Sequence, residues 1–138
     1  MKITLERKTA PFHYEAKNER QMVINMDSSP KIGGMDKGVS PMEMILMGLG
    51  GCASIDLGLI LGKQKQVLND YKLSIVGHRD STPAKAFETI DMHFSLYGDI
   101  DPKKAERALE LAITKYCSVA QSLSKHITIN TTFDIIND

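Results

Sequence analysis

Hydrophobic positions along this chain follow two periods. Residues 87–97, FETIDMHFSLY, alternate over most of their length. Ile90, Met92, Phe94 and Leu96 fall on one side, and Asp91, His93 and Ser95 on the other. That pattern predicts a strand with one buried face. Residues 71–79 repeat it with Leu73, Ile75 and Gly77. Residues 1–7, 12–16 and 21–26 are shorter and weaker, and predict three strands of an antiparallel meander. Residues 127–135, ITINTTFDI, predict a last strand.

Two stretches break the alternation. Residues 40–65, SPMEMILMGLGGCASIDLGLILGKQK, predict a long helix. Ser40 can cap, Pro41 suits the first helical position, and Glu43 lies three residues after Ser40, which together make a capping box. Beyond Glu43 the apolar residues, Met44 to Leu61, occupy every side, as in a buried helix. Its uncharged run is about 12 residues before Asp56, short of the roughly 20 that a bilayer needs. Five glycines (48, 50, 51, 58 and 62) each cost about 1 kcal/mol relative to alanine. Close approach of another backbone or a ligand is the expected compensation. From Asp101-Pro102, a second cap-plus-proline start, a helix is expected to run to about Lys125. Its stripe is Ala105, Leu109, Ala112, Tyr116, Val119 and Leu123. Residues 27–39 read as a loop by their serine, proline and glycine content; the glycines lack the spacing of a phosphate-binding loop.

The order β-β-β-α-β-β-α-β predicts an α+β fold with a mostly antiparallel sheet. The 138 residues suit a single domain, 1–138, with a real core. A 26-residue helix spans about 39 Å, while the radius of gyration expected at this length is near 14 Å. One small sheet covers one side of such a helix, and a homodimer is the simplest cover for the other.

Charge narrows the function classes. Lysine plus arginine and aspartate plus glutamate number 17 each, so no basic surplus points to nucleic acid or a membrane surface. The N-terminal residues lack the apolar region of a signal peptide, and a cytoplasmic location is expected. Two cysteines in a reducing compartment are free, catalytic or metal-bound sooner than a structural staple.

Cys52 and Cys117 fall in the two predicted helices, where both thiols can face the packed region between them. They read either as small buried hydrophobes or as a peroxidatic and resolving pair. The nucleophile is a thiolate, and an ordinary thiol is only about 3% ionised at pH 7. A cation has to help, and Arg20 and Arg79, at opposite ends of their strands, are the candidates. Glu43 is read as a cap or a catalytic carboxylate. Asp56, four residues after Cys52, shares its face and needs a partner or a water. The histidines have no metal-ligand spacing to a cysteine, so no metal site is expected.

SPMEMILMGLGGCASIDLGLIL and KYCSVAQSL resemble the two cysteine-bearing helices of the OsmC/Ohr superfamily, osmotically inducible protein C and organic hydroperoxide resistance proteins. The detail is nearest the OsmC-like branch, in which a GGC helix pairs with a late YCSVA segment. HRDSTPAKAFETIDMHF extends the likeness over most of the chain. The resemblance implies an intertwined homodimer, with strands from each subunit in sheets around two long central helices. It implies thiol peroxidase chemistry without a cofactor. Cys52 would attack the organic hydroperoxide and become a sulfenic acid, Cys117 would condense with it to a disulfide, and a dithiol reductant would restore both. In the peroxidases the catalytic glutamate directly follows the proline. Here Met42 holds that place, and Glu43 stands one residue on, about 100° round the helix.

Two other readings stand beside the organic hydroperoxide reductase. One is a non-catalytic module of the same fold that binds an apolar small molecule at the dimer interface. The other is an acyl thioesterase of hot-dog type with Asp56 or Glu43 as base, which leaves both cysteines unexplained.

Overall fold

A computed structural model describes residues 1–137. Its elements are β1 (Ile3–Thr9), β2 (His13–Asn18), β3 (Val23–Met26), α1 (Pro41–Lys63), β4 (Asp70–Arg79), β5 (Phe87–Tyr97), α2 (Pro102–Leu111), α3 (Ser118–Ser122) and β6 (Thr128–Ile136). The architecture is the expected α+β. Contacts divide the chain into two compact units, 1–45 and 46–138.

In the first unit, β1, β2 and β3 form the expected antiparallel meander. β1 and β3 are open to solvent in the single chain, with Ile3, Leu5, Val23 and Ile24 about half exposed. The loop after β3 closes on one buried carboxylate. Asp27 accepts backbone N–H bonds from Ser28 (2.7 Å), Met35 (3.3 Å) and Lys37 (3.1 Å). Burial pushes its pKa up, but these three donors outweigh burial and hold it below the usual carboxylate value. The chain passes so close here that a Cβ at Gly34 would overlap the Ser28 carbonyl. The capping box is formed: Ser40 N–H donates to Glu43 Oε2 (2.7 Å), and Glu43 N–H donates to Ser40 Oγ (3.2 Å).

In the second unit, β5 lies between β4 and β6. Ile90, Met92, Phe94 and Leu96 are buried, as their alternation predicts. The sheet is mixed: β4 pairs antiparallel with β5, but β6 runs parallel to it. The reason is topological, because β6 returns through the helical segment between them, and such a crossover brings a strand back in the same direction.

Helix α1 is 23 residues long and buries Leu49, Gly50, Ala53, Leu57 and Leu61. Gly50 permits this packing, since a Cβ there would sit 2.6 Å from Ile75 Cδ1 on β4. The expectation of burial on all sides is met on one side only. Met47, Ile55 and Leu59 are more than half exposed in the single chain. By length and composition α1 is also apolar enough to cross a membrane, which the short uncharged run had argued against. Its Leu49–Ala53–Leu57–Leu61 face nevertheless sits where a core helix packs.

The second helix departs from expectation. It starts as predicted, with Asp101 Oδ1 accepting from Lys104 N–H at 3.0 Å. It stops at Leu111, passes through a π-helical turn, Ala112–Tyr116, and breaks at Cys117. Tyr116, expected on the buried stripe, is half exposed, and Ile113, Cys117 and Ala120 are buried instead.

Replacing Asp27 with alanine leaves three loop N–H groups without their acceptor. The expected result is a lower urea midpoint, and amide exchange at Ser28, Met35 and Lys37 faster by at least about tenfold. Because the folded pKa of Asp27 is depressed, its stabilisation is present above the unfolded value and is lost as pH falls through the folded one. The Asp27→Ala penalty should therefore shrink below about pH 4. An unchanged penalty in acid would contradict this role.

Candidate active site

Cys52 sits in the middle of α1, half-buried, and Asp56 follows one turn later on the same face. The Cys52 thiol donates to Asp56 Oδ2 at 3.9 Å. Cys117 comes from the break after the π turn, and its Sγ completes the group. The two sulfurs and a carboxylate oxygen of Asp56 all lie within 4.8 Å of one another. Both cysteines are free thiols.

Local hydrogen bonding explains how Cys117 is delivered. Its N–H donates to Ala112 O at 2.7 Å, the five-residue bond of a π turn. The residue itself is extended (φ −65°, ψ 105°) and caps α3, its sulfur accepting from Ala120 N–H at 3.4 Å. Such a break orphans carbonyls. Gln121 supplies them, its side-chain amide donating to Ile113 O (3.1 Å) and Thr114 O (3.0 Å). Thr114 Oγ1 donates back to Glu110 O at 2.7 Å.

The two thiols have different surroundings. Cys117 is fully buried, whereas Cys52 is partly accessible. Burial pushes the Cys117 thiol up to about 11, and the neighbouring Cys52 sulfur adds to the rise against the opposing Ala120 N–H. Cys117 therefore stays a protonated thiol at neutral pH, next to a more accessible one.

The other predicted residues each have a setting within their own unit. Glu43 holds the cap of α1, and its pKa is lowered by the Ser40 N–H and hydroxyl. Arg20 is exposed in the turn between β2 and β3 of the first unit. Arg79 is at the end of β4 in the second unit, where its Nε donates to Lys85 O at 2.6 Å. His78 bonds Asp91 at 2.8 Å, and His93 bonds Thr132 at 2.8 Å; both pairs lie on the solvent side of the sheet. A cleft of about 620 Å³ between α2 and β6 is lined by Lys103, Glu106, Arg107 and Glu110 among others, and neither cysteine borders it. Sequence spacing missed the closeness of Asp56 to Cys117 and the support given by Gln121. The helical pattern of residues 112–123 carries no break signal that cap preferences recognise, since cysteine is not a favoured cap.

The sequence profile of the family described as OsmC-like protein matches residues 34–132. The chain belongs to the OsmC-like family. Protein YhfA of Escherichia coli K12 is 37% identical to this OsmC-like chain over 102 residues, 73% of this chain and 76% of YhfA. A hypothetical protein from Aquifex aeolicus superposes with a TM-score of 0.86 at 26% identity, over 99% of this chain and 96% of that one. An organic hydroperoxide resistance protein OsmC from Legionella pneumophila shares the fold, with a TM-score of 0.75 at 14% identity over 97% of each chain.

The asymmetry of the pair has a direct readout. Brief alkylation of the reduced, folded OsmC-like protein at pH 8 should modify Cys52 and leave Cys117 untouched, because a thiol at about 11 is only ~0.1% ionised there and is buried. Peptide mass mapping distinguishes the two. Equal labelling would show that Cys117 is not held as described.

Proposed function

We propose that this protein is a two-cysteine organic hydroperoxide reductase, with Cys52 peroxidatic and Cys117 resolving. The observation that supports it most is the placing of two free sulfurs within 4.8 Å, one accessible and one buried. The hydroperoxide resistance protein of Legionella, which shares the fold, points to the substrate class. Cys52 thiolate attacks the distal peroxide oxygen, the O–O bond breaks, and the alcohol leaves with a proton. The resulting sulfenic acid condenses with the Cys117 thiol; an S–S bond forms and water leaves. A dithiol reductant reopens the disulfide by exchange. In the chain-entropy model, closing a loop of about 65 residues stabilises the oxidised form by about 4 kcal/mol. Such a cycle belongs in a reducing, cytoplasmic setting. Arg20 and Arg79 are the candidates to favour the thiolate, and Glu43 is the candidate carboxylate. The Arg20→Ala and Arg79→Ala variants separate the two cations by their rates.

The working unit in this proposal is a homodimer of the single 1–138 domain. Gly48, Gly51, Ile55, Gly58 and Gly62 recur at steps of three and four along the exposed side of α1. A Cβ added at any of these four glycines meets nothing within 4 Å in the single chain. Small residues in such a row let two helix backbones approach closely, and Met47, Ile55 and Leu59 supply the apolar area. The half-exposed apolar residues of β1 and β3 support the same reading. That exposed side also favours the second reading, a module that binds an apolar small molecule at the interface.

Two measurements test the proposal. One equivalent of an organic hydroperoxide should remove two hydrogens from the intact mass of the reduced protein. Cys117→Ser should stop at the sulfenic acid, and Cys52→Ser should lose turnover by at least about a thousandfold. Turnover retained in Cys52→Ser would sink the assignment, and inert thiols in the wild type would favour the binding module. For the dimer, sedimentation should show Gly58→Leu dissociating at concentrations where the wild type stays paired. If the face is open to water, Gly58→Ala should instead stabilise the chain by about 1 kcal/mol through helix propensity.

A further inference from the structure

Sequence spacing offers no metal-binding set, but the fold assembles one. Cys52 and Asp56 are presented by one turn of α1, and Cys117 approaches from the break before α3. Their ligand atoms, two sulfurs and a carboxylate oxygen, lie within 4.8 Å of one another. A tetrahedral zinc ion with Zn–S near 2.3 Å and Zn–O near 2.1 Å sets S···S edges of about 3.8 Å and S···O edges of about 3.6 Å. The Cys52 Sγ to Asp56 Oδ2 distance is already 3.9 Å. Binding needs the trio to contract by about 1.2 Å at most, a scale that side-chain torsions supply.

The donor set selects the ion. Two thiolates favour zinc over magnesium or calcium, which take oxygen ligands. Three protein ligands leave a fourth position for water, the pattern of an open rather than a closed structural site. The surroundings fit as well. Cys117 is fully buried and held by the α3 cap, and the side chains of Cys52 and Asp56 are half-buried, so one side of the trio is walled and the other is reachable. No histidine among the described residues joins the trio.

We infer that the reduced protein binds one zinc ion per chain through Cys52, Cys117 and Asp56, and that the bound ion guards the two sulfurs against oxidation. Metal binding and disulfide formation compete for the same sulfurs. On loading, two thiol protons leave and no electron moves. When a hydroperoxide overcomes the guard, the two thiolates give up two electrons, the S–S bond forms, the peroxide and two protons become alcohol and water, and zinc is released. The binding part of this inference stands on the geometry of the trio alone; the guarding part rests on the peroxidase reading.

Equilibrium competition with a chromophoric chelator, without oxygen, tests it on the full chain. The reduced wild type should hold one zinc per chain, and the disulfide form none. Asp56→Asn keeps the size of the side chain and both thiols, and should weaken zinc binding at least about tenfold. Cobalt(II) should give a near-ultraviolet thiolate charge-transfer band and visible tetrahedral bands in the wild type, both altered in Asp56→Asn. Zinc-loaded wild type should oxidise at least about tenfold more slowly than the metal-free form, releasing one zinc per disulfide. Substoichiometric zinc in the reduced wild type, or equal binding by the disulfide form, would overturn the site. Unchanged affinity in Asp56→Asn would remove the carboxylate from it. Disulfide formation in protein that binds no zinc would leave the peroxidase reading intact, and zinc binding by thiols inert to peroxide would leave the site standing without it.

Discussion

Helix α1 has two apolar sides, and the sheet of its own chain can dry only one. That constraint organises the second unit. The side carrying Leu49, Ala53, Leu57 and Leu61 is packed to near-zero exposure. Gly50 lets the helix settle onto β4, because a Cβ there would sit 2.6 Å from the Ile75 Cδ1 methyl, which would have to move. A 23-residue helix is about 34 Å long, and fixing it in one place by a single face fixes every residue along it. Cys52 and Asp56 inherit their positions from that seating, at the border between the dried side and the open one.

Much of this was legible in the chain. Ser40-Pro41 with Glu43, and Asp101-Pro102, mark helix starts by local chemistry that needs no tertiary information, and both caps form. The alternation at 87–97 works for the same reason, since a strand's faces are set by parity alone. The helix containing Cys52 and its shared face with Asp56 follow from the 3.6-residue period.

What was not legible depends on partners distant in sequence. The direction of β6 is decided by the crossover before it, and residues 127–135 carry no mark of parallel or antiparallel pairing. The break at Cys117 is invisible because residues 112–123 keep an acceptable helical pattern through it. Tyr116 and Val119 look like stripe residues, yet the π turn shifts the phase by one residue and buries Cys117 and Ala120. Gln121 shows why the break is tolerated: its amide replaces the bonds that Ile113 and Thr114 carbonyls lose. Asp27 was read only as the start of a loop. Its role comes from N–H groups up to ten residues on, which no local pattern reveals.

The π turn has a consequence for how this segment can change. If residues 112–116 regained ordinary helical spacing with no residue removed, the residues downstream would turn by about 100°. The repaired helix has better bonds, and its cysteine faces another way. Here regularity and the meeting of the two sulfurs are opposed, so the irregular turn is a fault that the segment cannot mend without parting them.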